Sequence, residues 1–382
     1  MKKQLVNINS VKIQNRKLVF EELIHSDITT RLELARKTNL SAATVSSIVE
    51  DFVNVGITDE TKDEKSTVGR KPNLLRFSPN QKQMLIIDFT SIHFHYVIKD
   101  LSLVTLSSYS YTYQNELTYI QNIEQFCKDI LSTIEQLQTE NELIGIGVST
   151  PGPYNQEKDM VVNCLIPAFG EVNLHQVLSR YLPEFPIIID HDVKLAAMAE
   201  LQRVPESASK SIFFIYLGEG VGGASAAWNE ISEGANHLAG EIGQIVIAHG
   251  SGQNLEQMIS WNEFVRRITE KDALAGISQQ KSYVERFQDG DPIVAEELIR
   301  VADCLATAFN NIAWLFDPHM IIIAGQYNVF GEPFMALISE RLKDRLHKDI
   351  YDSLKLTFSN YEEKSTLVGA AIAVRDRWID NL

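Results

Sequence analysis

With 382 residues, 45% of them hydrophobic and 22% charged, the chain is longer than one ordinary core can organise, so two or three soluble globular domains are expected. No apolar run is long enough to span a bilayer and the opening MKKQLVNINS has no signal-peptide stretch, so a cytoplasmic protein with no membrane partner is expected. The net charge of −15 argues against nucleic-acid binding over the whole surface, yet residues 1–80 hold 13 Lys+Arg against 10 Asp+Glu while the remainder holds 22 against 40: a basic module on an acidic body.

NRKLVFEELIHSD has apolar Leu18, Val19, Leu23 and Ile24 at helical spacing. In ITTRLELARKTNL, Thr30 and Glu33 are spaced as a capping box, the hydroxyl taking the amide three residues on and the carboxylate reaching back. TNL is a short turn, and Ser41 then caps SAATVSSIVEDFVNVG, whose Val45, Ile48, Val49, Phe52 and Val53 form one apolar stripe before Gly56. The opposite face carries only Ala42, Ala43, Thr44, Ser46 and Ser47, small enough for a backbone to approach and with hydroxyls for phosphates or base edges. Two short helices with a tight turn and a bare outward start describe a helix-turn-helix. ITDE, the charged TKDEKSTVGRKP and NLLRF then read as strand, loop and strand, a wing with Gly69, Arg70 and Lys71 at its return. A helical hairpin used for protein contacts is the alternative. Operator contacts are expected from Ser41, Ala43, Thr44 and Ser47, from Arg31 on backbone phosphate, and from Arg70 and Lys71 on the wing.

From residue 84 the pattern turns to β-rich runs, MLIIDFTSIHFHYVIKD and LVTLSSYSYTY, with a turn at Lys99–Asp100. ELTYIQNIEQFCKDILSTIEQL is a helix, LIGIGVSTPGPY a buried strand entering a Pro-Gly-Pro turn, and FPIIIDHDVKLAAMAELQ a strand-to-helix junction. SIFFIYLGEGVGGASAAWN is a strand, a glycine-rich turn and a strand, and IAWLFDPHMIIIAGQY repeats helix, turn, strand and glycine. Strands that end in Gly or Asp turns and lead into helices indicate an α/β body with its site at the strand ends. Cys127, Cys164 and Cys304 are odd in number and widely separated, which suits buried reduced thiols rather than a disulfide framework or a cysteine-based zinc site.

SAATVSSIVEDFVNVGI with GRKPNLL, then GIGVSTPGP, LGEGVGG, LAGEIGQ, FDPHMIIIAG and LVGAA occur in an order that resembles the ROK family (repressors, open reading frames and sugar kinases), in particular its winged-helix regulators related to the xylose repressor. The resemblance implies an α+β and α/β chain: an N-terminal winged helix-turn-helix over 1–80, then a two-lobed actin-like (RNase H-like) ROK body. The first lobe would take 81–190 with 360–382 and the second 191–359. Active relatives hold a sugar between the lobes and phosphorylate it from ATP.

Against the family pattern, the first phosphate loop reads DFTSI, which keeps Asp88 but no glycine. The second, LGEGVGG, keeps Gly218, Gly220, Gly222 and Gly223 but places Glu219 where Thr is common. A carboxylate facing a polyphosphate should cost several kilocalories per mole, roughly a hundredfold in affinity. Asp192 matches the family's base, in a run changed to His191-Asp192-Val193-Lys194, where Lys194 is placed to pair with it; a helix N-cap is the alternative role for Asp192. The four zinc-ligand positions fall on Gln244, Ile247, His249 and Asn254, short of a tetrahedral set. Glu241 and Glu256 match carboxylates that contact sugar. A metal-free loop there would be held by packing of Ile245, Val246, Ile247, Leu255 and Met258.

The resulting expectation is a DNA-binding regulator, a repressor of carbohydrate-related genes, with an inactive kinase fold, no catalytic residue, no cofactor and no metal. Its partners would be double-stranded operator DNA and a second copy in a homodimer or tetramer. A sugar or sugar-phosphate effector would meet His191, Asp192, Glu241, Gln244 and Glu256. Two alternatives stand beside it: an ATP-dependent sugar kinase with an added DNA-binding domain, and a regulator whose body is a ligand-independent scaffold.

Overall fold

The computed structural model describes residues 8–62, 73–89, 93–137, 142–162, 166–204, 211–227, 230–247, 250, 252–277, 281–361 and 364–382. Cys164, His249 and the wing return Gly69-Arg70-Lys71 lie outside them. Among the described residues no helix is long and apolar enough to cross a membrane. Cys127 and Cys304 are buried free thiols.

The N-terminal module is three helices, Ile8–Ile24, Arg31–Thr38 and Ala42–Asn54, followed by the antiparallel strands Thr58–Lys62 and Asn73–Phe77. Local chemistry sets the helix starts. Thr30 accepts the Glu33 amide, and Ser41 accepts the Thr44 amide at 3.1 Å. Glu33 does reach back, but its Oε2 takes the hydroxyls of Thr29 and Thr30 at 3.3 and 3.2 Å. Asn39, at φ +56°, makes the tight turn. A bridge from Thr29 to Leu75 ties this turn region to the strand Asn73–Phe77. Val45, Ile48, Val49 and Phe52 are buried as expected, whereas Leu18 on the first helix is 49% exposed. Leu18 lies on the helix face turned away from Val19 and Leu23, so the apolar spacing there is narrower than the sequence suggests.

The body contains two five-stranded sheets with one topology used twice. The first orders its strands Thr105–Thr112, His93–Asp100, Lys82–Phe89, Glu142–Thr150, Ile187–His191. The second orders them Glu230–Ile231, Val221–Ala227, Ser211–Leu217, Met320–Gly325, Lys355–Phe358. In each, three antiparallel strands continue into two parallel ones. That is the repeated RNase H-like arrangement of an actin-like fold.

Two helices lie between the sheets, Asp192–Arg203 and Ser365–Asp380, and they cross on small residues. Ala196, Ala197 and Ala199 of one and Ala370 and Ala371 of the other are buried. Gly369 sits at the crossing, where a Cβ would fall inside the Leu195 carbonyl oxygen. Gly147, in the GIG run of the central strand, leaves room for the Ala370 carbonyl in the same way. The outer face of the second sheet is covered by the long helix Pro292–Phe316 and by Trp261–Ala275 and Gly331–Lys343.

The N-terminal module is not a separate bead. Its core residues Val19, Phe20, Phe52, Ile57 and Leu75 form one cluster with Met84, Ile86 and Leu101 of the first lobe and with Val374 and Ile379 of the last helix. Arg375, 1% exposed, lies 5.3 Å over the Phe20 ring, and Lys17 pairs with Asp380 at 3.1 Å. The boundary expected after residue 80 is therefore a boundary in the chain but not in the core.

Gly369→Ala is expected to push the two central helices apart and lower stability by about 2 kcal/mol or more, read as a fall of several degrees in thermal unfolding. Wild-type-like unfolding would show that the crossing relaxes freely.

Candidate functional site

The two sheets enclose a cleft of about 750 Å³, into which the N-terminal ends of both central helices open. The first lobe contributes Asp88, Pro151, Gly152 and Pro153, and the second Tyr216, Glu219, Gly220, Glu241 and Glu256. Lys364, Ser365 and Thr366 stand at the start of the last helix. Open α/β sheets place ligands at such strand ends.

Asp88 ends its strand 4% exposed. Its carboxylate accepts the Ser149 hydroxyl at 3.0 Å and the Lys364 ammonium at 2.9 Å. Burial would lower the Lys364 pKa, but the Asp88 carboxylate wins and holds it above the usual lysine value. Phe89, where the family's loop is small, is buried against Phe94, Phe126 and Phe169 at ring distances of 5.1, 5.8 and 5.4 Å. Thr90, Ser91 and Ile92 lie outside the described residues.

His191, 5% exposed, ends the last strand of the first sheet. Its Nε2 is 3.2 Å from Asp192 Oδ1, and its Nδ1 is 3.5 Å from Glu241 Oε1. Burial, then the nearby Lys194 charge, push the imidazole down to about 3, so it is neutral near pH 7. Burial, then the Asp88 carboxylate, push Asp192 up to about 7, with Glu241 adding to the rise. Asp192 is the first residue of its helix rather than the N-cap, which is His191, and its Oδ1 accepts the Val193 amide at 2.6 Å.

The expected pairing of Lys194 with Asp192 is not formed. Residues two apart lie on opposite sides of a helix, and Lys194, its side chain 3% exposed, donates to Glu233 Oε2 at 2.8 Å. The same oxygen lies 3.1 Å from His237 Nδ1. This clamp ties the loop before Glu241 to the central helix.

The loop that would hold zinc in relatives is held differently here. Gln244 and Asn254, two of the former ligand positions, hydrogen-bond to each other: Asn254 Nδ2 donates to Gln244 Oε1 at 2.9 Å. Asn254 also caps the short helix Leu255–Ile259 in a reciprocal box with Gln257. Leu255 donates its amide to the Ile245 carbonyl at 2.8 Å and is fully buried, while Ile245, Ile247 and Met258 pack on the core. Val246, expected to pack with them, is 62% exposed because the extended segment turns it outward. Two amides and a hydrocarbon at Ile247 do not fit a thiolate and imidazole zinc site.

Glu256 and Gln244 both line the cleft, but Glu256 has a second task. Its Oε2 accepts the Val221 amide at 2.9 Å, at the end of the glycine-rich turn, and the Gly218 amide is taken by the Gly220 carbonyl at 2.9 Å. Two amides near the position that would cradle a phosphate are thus already satisfied. Glu219 stands exposed beside them on the cleft wall.

On the N-terminal module, Ala43 and Ser47 are exposed on the third helix, as is its cap Ser41, whose Oγ is 2.8 Å from Thr44 Oγ1. Arg31 is engaged within the module. Its Nε and Nη2 reach both oxygens of Glu60 at 2.9 Å, and Nη1 donates to the Ser46 carbonyl at 2.8 Å. A guanidinium held in this fork ties the strand Thr58–Lys62 to the third helix. Sequence reasoning did not single out Lys364, Glu233 or Glu60, whose partners lie far off in the chain.

Residues 87–377 match the ROK family. The chain belongs to the ROK family. The xylose repressor of Caldicellulosiruptor bescii is 21% identical to it over 96% of this chain and 97% of that one. Among solved structures, a ROK family transcriptional regulator described as a homolog of E. coli MLC superposes with a TM-score of 0.81, at 18% identity and over 97% of both chains. The ROK hexokinase of Thermus thermophilus gives 0.62, at 18% identity, over 76% of this chain and 97% of that one. ROK relatives thus include both regulators and kinases, and they share the fold of the body.

The raised Asp192 pKa fixes the sign of a pH effect. A carboxyl that holds its proton more tightly when folded stabilises fully below 3.8 and loses that contribution as pH rises through about 7. Asp192→Asn should therefore raise the melting temperature relative to wild type, and by more at about pH 8 than at about pH 5, because the contribution is lost progressively from 3.8 up to about 7. A gain of equal size at both pH values would contradict the assigned shift.

Proposed function

We propose that this ROK protein is a DNA-binding repressor of carbohydrate-related genes whose body receives a sugar-type effector and transfers no phosphate. The observation that carries the reading is the third helix, Ala42–Asn54, with its small outward residues, in a winged module whose core is continuous with the lobe that bears the cleft. The similarity to a xylose repressor over 96% of this chain includes that module, whereas the hexokinase match covers 76%.

The cleft supports the absence of kinase chemistry on three counts. Lys364 neutralises Asp88, Glu219 faces the space a polyphosphate would take, and the Val221 amide is held by Glu256. Asp192 serves in this reading as an acceptor for ligand hydroxyls. The protein acts as a homodimer on a palindromic operator, two third helices reading successive major grooves. Effector binding changes the angle between the lobes and, through the shared core, the spacing of the two modules.

The test is fluorescence anisotropy on DNA from the protein's own upstream region. Binding should weaken linearly in the logarithm of salt concentration. Ala43→Glu should lower affinity more than tenfold, an approximate expectation for a charge placed against phosphate, without shifting the melting temperature. Salt-independent binding, or an unaffected Ala43→Glu variant, would defeat the DNA assignment. Arg70→Ala should flatten the salt slope by about one unit if the wing return meets phosphate. ATP turnover with common hexoses or pentoses, abolished by Asp192→Asn, would establish the kinase instead.

A further inference from the structure

The cleft is charged to a degree that decides what enters it. Five carboxyl groups line it, Asp88, Asp192, Glu219, Glu241 and Glu256, of which Asp192, pushed up to about 7, is only partly ionised near neutral pH, against the single ammonium of Lys364, which Asp88 already holds at 2.9 Å. The two helix N-termini that open into the space oppose this, but each is worth only about half a positive charge. The balance stays strongly negative, and field lines focused by the apolar walls amplify it. A dianionic phosphate has no free cation to meet among the described residues of the wall.

One corner of the cleft also holds a buried ring nitrogen, His191 Nδ1, with no hydrogen-bond partner. His191 lies between two carboxylates, with Nε2 3.2 Å from Asp192 Oδ1 and Nδ1 3.5 Å from Glu241 Oε1. The buried ring is neutral, so it carries a single N–H between the two carboxyl groups. With that hydrogen on Nε2 toward Asp192, Nδ1 is a bare lone pair, and it is a buried atom with no hydrogen-bond partner. A lone pair facing a carboxylate is an arrangement that a donor with several hydrogens resolves.

We propose that the cleft takes a polyhydroxylated ligand bearing a protonated amine, seated between Asp192, Glu241 and His191 Nδ1, and that it rejects phosphorylated sugars. This rests on the reading of the cleft as the effector site and narrows its ligand class. An ammonium supplies three hydrogens to three acceptors in one corner and offsets part of the carboxylate excess. The remaining carboxylates and the Gln244 amide face the hydroxyls.

The experiment is calorimetric titration and thermal shift of the full chain at neutral pH. The probes are glucose, galactose and mannose, each with its amino-sugar counterpart and its sugar phosphate. At least one amino sugar is expected to bind about tenfold tighter than its parent, and no phosphate is expected to bind. Glu241→Gln should cost the amino sugar about tenfold more affinity than it costs the neutral parent, erasing the preference for the amine; a merely structural role for Glu241 would weaken both by the same factor. Equal binding of amine and parent, tighter binding of a phosphate, or no response to any amino sugar overturns the proposal. Operator binding measured on the same samples separates the outcomes: if it persists while the amine preference fails, the repressor reading stands and only the ligand class falls.

Discussion

The crossing of the two central helices at Gly369 is the constraint on which the other features depend. Because a side chain there would strike the Leu195 carbonyl, the helices approach closely enough for alanines to pack against alanines. That approach sets the distance between the two sheets, and so the width of the cleft. It also brings the two helix starts, Asp192 and Lys364, to the same opening. The glycine in the central strand, Gly147, lets the last helix lie on the first sheet, and the helix then continues outward to meet Phe20 and Lys17. One helix thus touches the cleft at its beginning and the N-terminal module at its end.

Within the cleft, interactions that would be made to metal and polyphosphate are replaced by internal ones. An ammonium stands on Asp88, a carboxylate on the amide of the glycine-rich turn, and an amide pair across the loop where zinc would sit. Each substitution satisfies a polar group that burial would otherwise penalise. Together they hold the cleft wall and its loop in place through contacts within the chain. Nδ1 of His191 is a place where this internal satisfaction stops short.

Local features were legible in the sequence because local chemistry dictates them. Thr30 and Ser41 cap helices whose spacing announced them, and the apolar stripe from Val45 to Phe52 is buried as its period required. The two-lobed actin-like body followed from family resemblance rather than from periodicity, and the strand order of its sheets was not read. Pairings between distant residues could not be read. Lys194 chose Glu233 over its neighbour Asp192, Arg31 chose Glu60, and Lys364 reached Asp88 across 276 positions. Nothing in the spacing of a lone lysine names its partner. The continuity of the N-terminal core with the first lobe was hidden for the same reason, since Val19 and Val374 are equally apolar whether they pack together or apart.

That continuity bears on modularity. A small N-terminal module is commonly thought of as a cassette that evolution moves between bodies, joined by a linker whose length is the only negotiable quantity. Here the cassette's floor is the outer end of the last helix, with Arg375 sealed under Phe20. Its inheritance is therefore tied to the opposite end of the gene. A recombination event that exchanged only the first eighty or so residues would leave Arg375 buried against a foreign surface, so head and tail of this chain are bound to change together.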